Sequence, residues 1–331
     1  MREVRIGIVG CGHAARVHLG RLAAIEGVRV VGCADTDAAR ARDFAGAAPE
    51  SEGGGTIPAF ADHVELIRRL APDALAVFTP HLAHYRPTID GLQAGCHVFV
   101  EKPLATNVQE AVDIVNVARA RGRKVGVGHQ FRLLPSLREA RNRLAEGVIG
   151  PVRLAVATLA QPWLASHRGE ENSWRFDPRV SGGGILADSG DQLIDALLWS
   201  LGQAAVEAAA IQSRLESGLD LVTAAAIRLA DGTPATLALA GDSPRSSFEL
   251  TYFGERGRLR VTEDRLVQEA GEGEAEVATP PAPIETIDSN FAAAIRGDAP
   301  LCCPAEEALG TVRLLEAIAR SAATGQVVRL G

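Results

Sequence analysis

The sequence predicts an α/β protein in two parts. The N-terminal part, residues 1–127, is a doubly wound parallel sheet, and the C-terminal part, residues 128–331, is an α/β domain with a large, mostly antiparallel sheet. Apolar strand-like segments alternate with helical segments through residue 127, the pattern of a parallel sheet covered by helices on both faces. From about residue 129, extended segments follow one another without helices between them, which indicates antiparallel pairing.

In the N-terminal part, hydrophobic period and capping residues place the elements. Strands are predicted near 4–9, 28–34, 74–78, 97–100 and 124–128, with helices at 13–25, 62–70 and 107–121. Asp62 followed by Glu65 opens the second helix, and Thr106 followed by Gln109 opens the third. The segments 45–56 and 271–283 are predicted to be flexible connections, since both are rich in glycine, glutamate or proline.

In the C-terminal part, one helix precedes a run of strands. The helix is predicted at 135–146, and the strands near 151–160, 205–215, 220–230, 234–241, 246–253 and 257–261. A last helix at 303–322, with Pro304 in its first turn, is expected to pack against one of the two parts, the N-terminal one included. A wide sheet with an uncovered apolar face usually pairs with a copy of itself, so a homodimer or homotetramer through this sheet is predicted.

Composition narrows the function classes. The 331 residues are 47% hydrophobic and carry a formal charge of −7, without the basic clusters that nucleic-acid binding requires. There is no run of about 18 apolar residues, so a membrane partner is not expected. The first strand begins too early to leave room for a leader, so we expect a cytoplasmic location rather than export. The five cysteines are odd in number and lack CxxC spacing, which suggests neither a disulfide framework nor a zinc or other metal site.

Residues 4–35 combine an apolar strand, a glycine turn, a helix and a second strand that ends in an acid. In the turn, Gly10 permits the tight bend, Gly12 lets backbone approach a pyrophosphate, and Ala15 keeps helix and strand close, with His13 and Ala14 completing the predicted cofactor loop. The arrangement predicts a nicotinamide dinucleotide site rather than a merely structural strand-turn-helix.

Asp35, twenty residues after Ala15, sets the predicted cofactor preference. A carboxylate there accepts hydrogen bonds from a ribose diol and repels a 2′-phosphate, which favours NAD. NADP is not excluded, because Arg40 and Arg42 follow within reach.

Glu101-Lys102-Pro103 follows a predicted parallel strand, at the edge where open sheets bind their ligands. Lys102 is one of only two lysines in the chain, and a lysine, unlike an arginine, can release a proton near neutral pH when its surroundings lower its pKa. Lys102 is therefore the acid/base candidate, with a surface lysine at a strand end as the alternative. Thr79, Pro80 and His84 follow the preceding strand and, with Glu101, join the predicted cofactor site.

A second chemical motif lies at 181–195. Three glycines, Gly182 to Gly184, are expected to let backbone approach a bound ligand, and an amphipathic helix follows them. Asp188 and Gln192 are four residues apart, a spacing that puts both side chains on one face of a helix. The alternative for Asp188 is a helix N-cap.

Taken together, the chain resembles the Gfo/Idh/MocA oxidoreductases, named for glucose–fructose oxidoreductase and inositol dehydrogenase. The resemblance runs nearly end to end and is carried by GIVGCGHAA at 7–15, TPHLAH at 79–84, AGCHVFVEKPLA at 94–105, HQFRLLP at 129–135, SWRFDPRVSGGG at 173–184 and SAATGQVVRL at 321–330. It implies a Rossmann fold for the first part and an NAD(P)-dependent oxidoreductase acting on a sugar, cyclitol or related polyhydroxy compound.

The resemblance also implies roles for single residues. Lys102 matches the catalytic lysine, joined to Pro103 by a cis peptide, and Asp188 matches the acid that orients the substrate hydroxyl. Trp174 and Arg175 match a pair beside the nicotinamide and the sugar. His129 and His167 lie in segments that the resemblance places near the substrate.

The chain departs from the family pattern at Gln192, where the family usually has a catalytic histidine. Glutamine holds a hydroxyl by hydrogen bonds but cannot exchange a proton. Either Lys102 is then the sole acid/base, or His81, His84, His129 or His167 enters the site. Arg132 and Arg175 are candidates to bind a carboxylate or vicinal hydroxyls, the alternative being ion-paired supports.

Two other functions stay open at this point. One is a glycosidase that retains NAD and uses transient oxidation to release a substituent, an activity known in the family. The other is a catalytically inactive sensor of cofactor or sugar, for which Gln192 is the chief argument and the retained Lys102 and Asp188 are the counter-argument.

Overall fold

A computed structural model describes residues 3–48, 56–167, 174–270, 273–279 and 285–331. The flexible connection predicted at 45–56 begins later, because Ala38–Ala47 form a helix, and residues 49–55 lie outside the described residues. The prediction of a flexible connection at 271–283 is wrong for Gly273–Val277, because their backbone pairs with Leu266–Ala270 as an antiparallel strand. The chain separates into two compact units, Met1–His129 with Glu285–Leu309, and Gln130–Ile284 with Gly310–Gly331. The division of the chain into domains 1–127 and 128–331 stays a prediction.

The strands are β1 (Val4–Val9), β2 (Val28–Ala34), β3 (Ala59–Phe60), β4 (Ala74–Val77), β5 (His97–Val100), β6 (Val125–Val127), β7 (Val152–Ala160), β8 (Ala205–Arg214), β9 (Asp220–Leu229), β10 (Pro234–Ala240), β11 (Ser247–Gly254), β12 (Gly257–Val261), β13 (Leu266–Ala270), β14 (Gly273–Val277) and β15 (Val328–Arg329). The helices are α1 (His13–Ala23), α2 (Ala38–Ala47), α3 (His63–Leu70), α4 (Tyr85–Gln93), α5 (Val108–Arg121), α6 (Pro135–Ala145), α7 (Trp163–His167), α8 (Pro178–Ser181), α9 (Asp191–Leu201), α10 (Ile287–Arg296) and α11 (Ala305–Thr324).

The first unit contains a six-stranded sheet in the order β3-β2-β1-β4-β5-β6, with every pair parallel. The order reverses beside β1, so the carboxyl ends of β1 and β4 meet at the switch point where doubly wound sheets bind ligands. The central strands β1, β4, β5 and β6 are mostly apolar and buried, as expected when helices cover both faces, whereas the first four residues of β2 are half-buried.

Two predicted helix starts have different outcomes. Asp62 caps α3 as predicted, because its Oδ1 accepts from the Glu65 amide at 2.8 Å. The prediction that Thr106 opens the next helix is wrong: Asn107 is the N-cap of α5, and its Oδ1 accepts from the Glu110 amide at 2.9 Å. Thr106 and Asn107 are neighbouring residues that can each cap a helix. Asn107 is the N-cap because its backbone is extended and its side chain accepts from the first turn of α5.

Helices α2, α4 and α10 are not predicted by the sequence patterns. Helix α4 carries Pro87 in its first turn and Gly91 near its end, which weakens the helical signal. Helix α2 has only a weak apolar stripe, and Asp37 caps it through bonds from the amides of Ala39 and Arg40.

The second unit contains a nine-stranded sheet in the order β14-β13-β12-β11-β7-β10-β9-β8-β15. Only the β10–β7 pair is parallel among the described strands, so the sheet is mostly antiparallel and the predicted fold class is confirmed. One face forms the core of this unit with helices α6, α9 and α11, through side chains such as Leu137, Leu197, Leu237 and Ile318.

On the opposite face of this sheet, the described part of the chain leaves β9 and β10 exposed. Along β9 and β10, inward residues alternate with exposed small side chains at Ala224, Ala226, Thr236 and Ala238. Across the part of the chain that the structure describes, no helix has both the length and the hydropathy needed to cross a bilayer.

Candidate cofactor and substrate sites

The glycine turn of the first unit has the geometry of an anion cradle. Gly10 adopts φ +87°, and a Cβ there would lie 2.7 Å from the Phe78 carbonyl carbon, so only glycine fits. A Cβ on Gly12 would meet nothing within 4 Å, and no described side chain caps α1, which starts at His13. The first amides of α1 are thus open to a phosphate group, while Ala15 is fully buried against the sheet.

Asp35 at the end of β2 holds this turn in place. Its Oδ2 accepts from the Cys11 amide at 2.9 Å, and its Oδ1 accepts from the Asp37 amide at 2.8 Å. Arg40 Nη1 lies 3.5 Å from the same Oδ1. The residues therefore fit a dinucleotide: the loop is preformed, and the acid stands beside it with a cation within reach.

The side chain of His84 connects the backbone segment that follows β4 with the segment that follows β5. Its Nε2 lies 2.8 Å from the Thr79 carbonyl oxygen, and its Nδ1 lies 2.7 Å from the Pro103 carbonyl oxygen. Burial lowers the pKa of His84, while the two carbonyl acceptors oppose this effect. The buried Thr79 Oγ1 has no hydrogen-bond partner among the described residues, so this hydroxyl is available to a ligand.

Lys102 lies two residues after the end of β5 and is partly buried, and the Lys102–Pro103 peptide bond is cis, as the resemblance implies. The carboxylate of Glu101 folds back, and its Oε2 accepts from the Lys102 amide at 3.0 Å. Glu101 in turn lies 3.1 Å from Nε2 of His18, a buried residue of α1 whose Nδ1 lies 2.6 Å from Asp288 of α10. Sequence reasoning missed His18 and Asp288; the available signal was a histidine on the buried face of α1.

In the second unit, Asp188 is the centre of a polar cluster. Its Oδ2 accepts from Trp163 Nε1 at 2.7 Å and from Arg175 Nε at 3.0 Å. The Arg175 guanidinium also stacks on Trp174, at 4.5 Å from the ring centroid. Asp188 lies in a π-helical turn, Leu186–Gly190, that continues into α9, so the N-cap alternative does not hold.

Gln192, one turn after Asp188, is buried, and its Oε1 has no hydrogen-bond partner among the described residues. An unpaired buried amide oxygen is costly, and a hydroxyl or amine donor from a ligand would satisfy it. The sequence prediction that Asp188 and Gln192 act as a pair stays a prediction.

Among the three glycines that were expected to let backbone approach a ligand, Gly184 instead lies against the protein's own backbone, and the expectation for Gly182 and Gly183 stays a prediction. A Cβ on Gly184 would lie 2.0 Å from the Asp220 carbonyl oxygen, so backbone of the protein itself occupies that space. The Asp220 carboxylate accepts from the amides of Gly184 at 2.8 Å and Leu186 at 2.7 Å. Gly182, with φ +73°, ends α8 in the left-handed region. Asp220 was missed because no pattern near it in sequence marks its partner.

The other predicted substrate residues have protein partners. Arg132 is buried and donates both Nε and Nη2 to the Asp195 carboxylate, at 2.8 and 2.6 Å. His129 in the first unit is buried, with Nδ1 3.1 Å from Cys303 Sγ. His167 Nδ1 lies 2.7 Å from the Trp163 carbonyl oxygen. These contacts orient the side chains, and their contact with substrate stays a prediction. All five cysteines are free.

Comparison with known proteins gives two family-model matches. Residues 4–129 match the oxidoreductase family model described as an NAD-binding Rossmann fold, and residues 137–260 match the GFO/IDH/MocA C-terminal domain.

Similar curated proteins include D-glucoside 3-dehydrogenase of Escherichia coli, 27% identical over 62% of this chain, and 1,5-anhydro-D-fructose reductase of Ensifer adhaerens, 28% identical over 98% of both proteins. The match spans only 56% of the length of the E. coli protein. Among solved structures, the WlbA dehydrogenase of Bordetella pertussis, in complex with NADH and UDP-GlcNAcA, superposes with a TM-score of 0.87 at 24% identity, covering 100% of this chain and 99% of that one.

Proposed function

The chain belongs to the Gfo/Idh/MocA family of NAD-binding oxidoreductases, and we propose that it transfers a hydride between the nicotinamide and a carbinol carbon of a sugar, cyclitol or related polyhydroxy compound. The observation that carries this proposal is Lys102, partly buried at the carboxyl end of β5 in the NAD-binding unit and held at its backbone by Glu101. The names of the two curated relatives, both for enzymes of sugar derivatives, support the substrate class.

The glycine turn and Asp35 would hold NAD, which would supply the acceptor for the hydride of the carbinol carbon in the oxidation direction. Lys102 Nζ then takes the hydroxyl proton as the C–H electron pair leaves, so the carbinol becomes a carbonyl and the lysine an ammonium. Reduction reverses both transfers. A lysine suits this role because its proton affinity responds to its surroundings, whereas an arginine stays protonated.

Asp188 and Gln192 are proposed to hold the reacting oxygen without exchanging its proton. Asp188 is already fixed by Trp163 and Arg175, so its second carboxylate oxygen has a defined orientation. Gln192 offers a buried acceptor to a substrate hydroxyl. Since an amide cannot act as an acid or base, Lys102 carries the proton alone among these three residues.

Lys102→Ala tests the proposal. Loss of general acid–base assistance typically costs about 10²–10⁴ in rate, so turnover is expected to fall by this factor while NAD still binds. The assay is a panel of sugars and polyols with NAD, followed at the NADH absorbance band, with binding of NAD measured separately. Lys124→Arg is the matched control, because Lys124, the other lysine, bonds to the Ala294 carbonyl and has no proposed role.

Wild-type turnover in Lys102→Ala would reject the acid/base assignment. A second candidate function has one supporting observation, Gln192 in place of the family histidine: a sensor that binds cofactor and sugar without turnover. Ligand binding without NADH formation across the panel would favour it. Release of an aglycone without net NADH formation would instead identify an NAD-retaining glycosidase.

We further propose that the chain forms a homodimer or homotetramer through the open face of the nine-stranded sheet. The exposed residues at the centre of that face, Ala224, Ala226, Thr236 and Ala238, are small and uncharged. Such a face lets a second sheet approach closely and bury apolar surface in a symmetric contact.

A further inference from the structure

A buried ionic cluster lies within the NAD-binding unit, next to the lysine of the proposed reaction. It consists of His18 from α1, Glu101 directly after β5, and Asp288 from α10. His18 Nδ1 lies 2.6 Å from Asp288 Oδ1, and His18 Nε2 lies 3.1 Å from Glu101 Oε1. His18 and Asp288 are 4% and 2% exposed, so water contributes little to their solvation.

The geometry indicates an imidazolium. A neutral histidine has one N–H and can donate to only one acceptor, but both ring nitrogens of His18 face carboxylates. Burial alone lowers the pKa of His18, yet the hydrogen bonds to Asp288 and Glu101 outweigh burial and raise the pKa from 6.5 to about 9. Burial alone also raises the pKa of Glu101, and the hydrogen bond and charge of His18 reverse this, holding Glu101 anionic.

The groups around this cluster fix its position. The His18 ring stacks on Phe78, with centroids 4.5 Å apart, and lies against Phe99. The other charged or titratable groups facing it are Arg21, whose Nη1 lies 3.8 Å from Asp288 Oδ2, and, on the Glu101 side, Lys102 and His84.

Gly128 closes the opposite side of Glu101. A Cβ on Gly128 would lie 3.0 Å from the Glu101 carboxyl group, so the carboxylate lies directly against the backbone there. The Glu101 carboxylate therefore has little freedom to leave its place.

The last contact leads to Lys102, because Glu101 Oε2 accepts from the Lys102 amide. We infer that His18 is a positioning residue for Lys102: its ring, anchored by Asp288, fixes the Glu101 carboxylate, which holds the Lys102 backbone. This inference rests on the proposed function, in which Lys102 carries the proton. The inference goes further than the proposed function, because it makes the position of Lys102 depend on α1 and α10, two helices from opposite ends of the chain.

The first test needs no substrate. The imidazole of His18 is followed by NMR titration in wild type and in Asp288→Asn, with His18→Gln to assign the signal. We expect a midpoint of about 9 in wild type and a midpoint shifted toward 6.5 in Asp288→Asn, because the shorter of its two charged hydrogen bonds is lost. A wild-type midpoint near 6.5 would overturn the inference.

The second test is kinetic, on a substrate found in the sugar and polyol panel. In His18→Gln, kcat is expected to fall by about 10²-fold with little change in KM or NAD binding, because the lysine is misplaced while the binding groups remain. The matched control is His63→Gln, which breaks a comparable pair, His63 Nε2 to Asp90 Oδ2 at 2.9 Å, in the same unit.

The pH profile separates positioning from a merely structural role. In wild type, kcat is expected to fall as pH rises through about 9, where His18 loses its proton. Asp288→Asn should move this fall to lower pH, and His18→Gln should lack it. The inference would be overturned if kcat of Asp288→Asn fell at the same pH as in wild type, or if His18→Gln kept the wild-type kcat. Full turnover in Lys102→Ala would reject the proposed function instead and leave the NMR result standing.

Discussion

At the residue scale, the cofactor loop depends on a side chain with two tasks. Asp35 accepts from the Cys11 amide inside the glycine turn, and it is also the residue expected to meet the adenosine ribose. Its other oxygen accepts from the Asp37 amide, with Arg40 nearby. Its carboxylate therefore holds the loop in shape, and we predict that its negative charge also sets the choice between NAD and NADP.

We predict that Asp35→Asn shifts the ratio of NADP to NAD affinity toward NADP by about tenfold or more, because the amide no longer repels a 2′-phosphate and Arg40 is released from its ion pair. Affinity for NAD itself should fall, since a charge-assisted bond to the loop is lost. Fluorescence titration with both dinucleotides measures the shift.

The control for this variant is Asp37→Asn, which changes an exposed carboxylate that caps α2 two residues away. Asparagine is an equally good N-cap, so little change in stability or preference is expected. An unchanged ratio in Asp35→Asn would contradict the assigned role of the charge.

At the element scale, the motif at 181–190 is built from short turns joined tightly to β9. Helix α8 ends at Gly182, a π-helical turn carries Asp188, and the first residue of β9, Asp220, binds the amides of Gly184 and Leu186. Asp188 is thus oriented by backbone packing as well as by its own hydrogen bonds.

We predict that Gly184→Ala destabilises the protein by about 3 kcal/mol or more, since its Cβ would overlap the Asp220 carbonyl oxygen and no flexible side chain can yield. A lower midpoint of thermal unfolding and weaker substrate binding are expected.

Gly310→Ala is the control, because it lies inside α11 and its Cβ would meet nothing within 4 Å. It should be neutral or stabilise by about 0.5–1 kcal/mol. Equal midpoints of thermal unfolding for Gly184→Ala and Gly310→Ala would contradict the prediction, because they would show that the backbone around Gly184 can move to accept a Cβ.

At the scale of the whole molecule, the NAD-binding unit is discontinuous in sequence. Residues 285–309 return to it after the chain has formed most of the second unit. Phe291 of α10 packs against Phe99 with ring centroids 5.7 Å apart, and Asp288 lies within hydrogen-bond distance of His18. Pro304 forms an isolated antiparallel bridge with Gly126 of β6. The cofactor unit is therefore completed by a segment that follows residues 130–284 of the second unit in sequence.

We predict that the protein is a homodimer or homotetramer in solution and that Ala238→Arg shifts it toward monomer. An arginine at the centre of the open sheet face would place a charge in a close apolar contact, where it is costly unless it is paired. Light scattering coupled to size exclusion gives the mass. Ala120→Arg, on the exposed side of α5 in the other unit, should leave the mass unchanged, and a monomeric wild type would contradict the prediction.

The sequence by itself determined the features that depend on neighbours along the chain. Alternating apolar segments place the parallel strands, and runs of extended segments place the antiparallel sheet. The glycine turn predicts an NAD-binding Rossmann domain, and the family match bears out that domain. These signals are local because strand and helix periods repeat within a few residues. Lys102 is a candidate from sequence for the same reason, since it lies just after the end of a strand of the parallel sheet.

Only the tertiary structure decided which side chains pair. His18 meets Asp288 across 270 residues, Arg132 meets Asp195 across 63, and Asp220 meets Gly184 across 36. A polar residue has the same sequence signature whether its partner is a substrate, a backbone amide or another side chain. Folding brings distant groups within hydrogen-bond distance and removes them from water, and this step settles their charge and orientation.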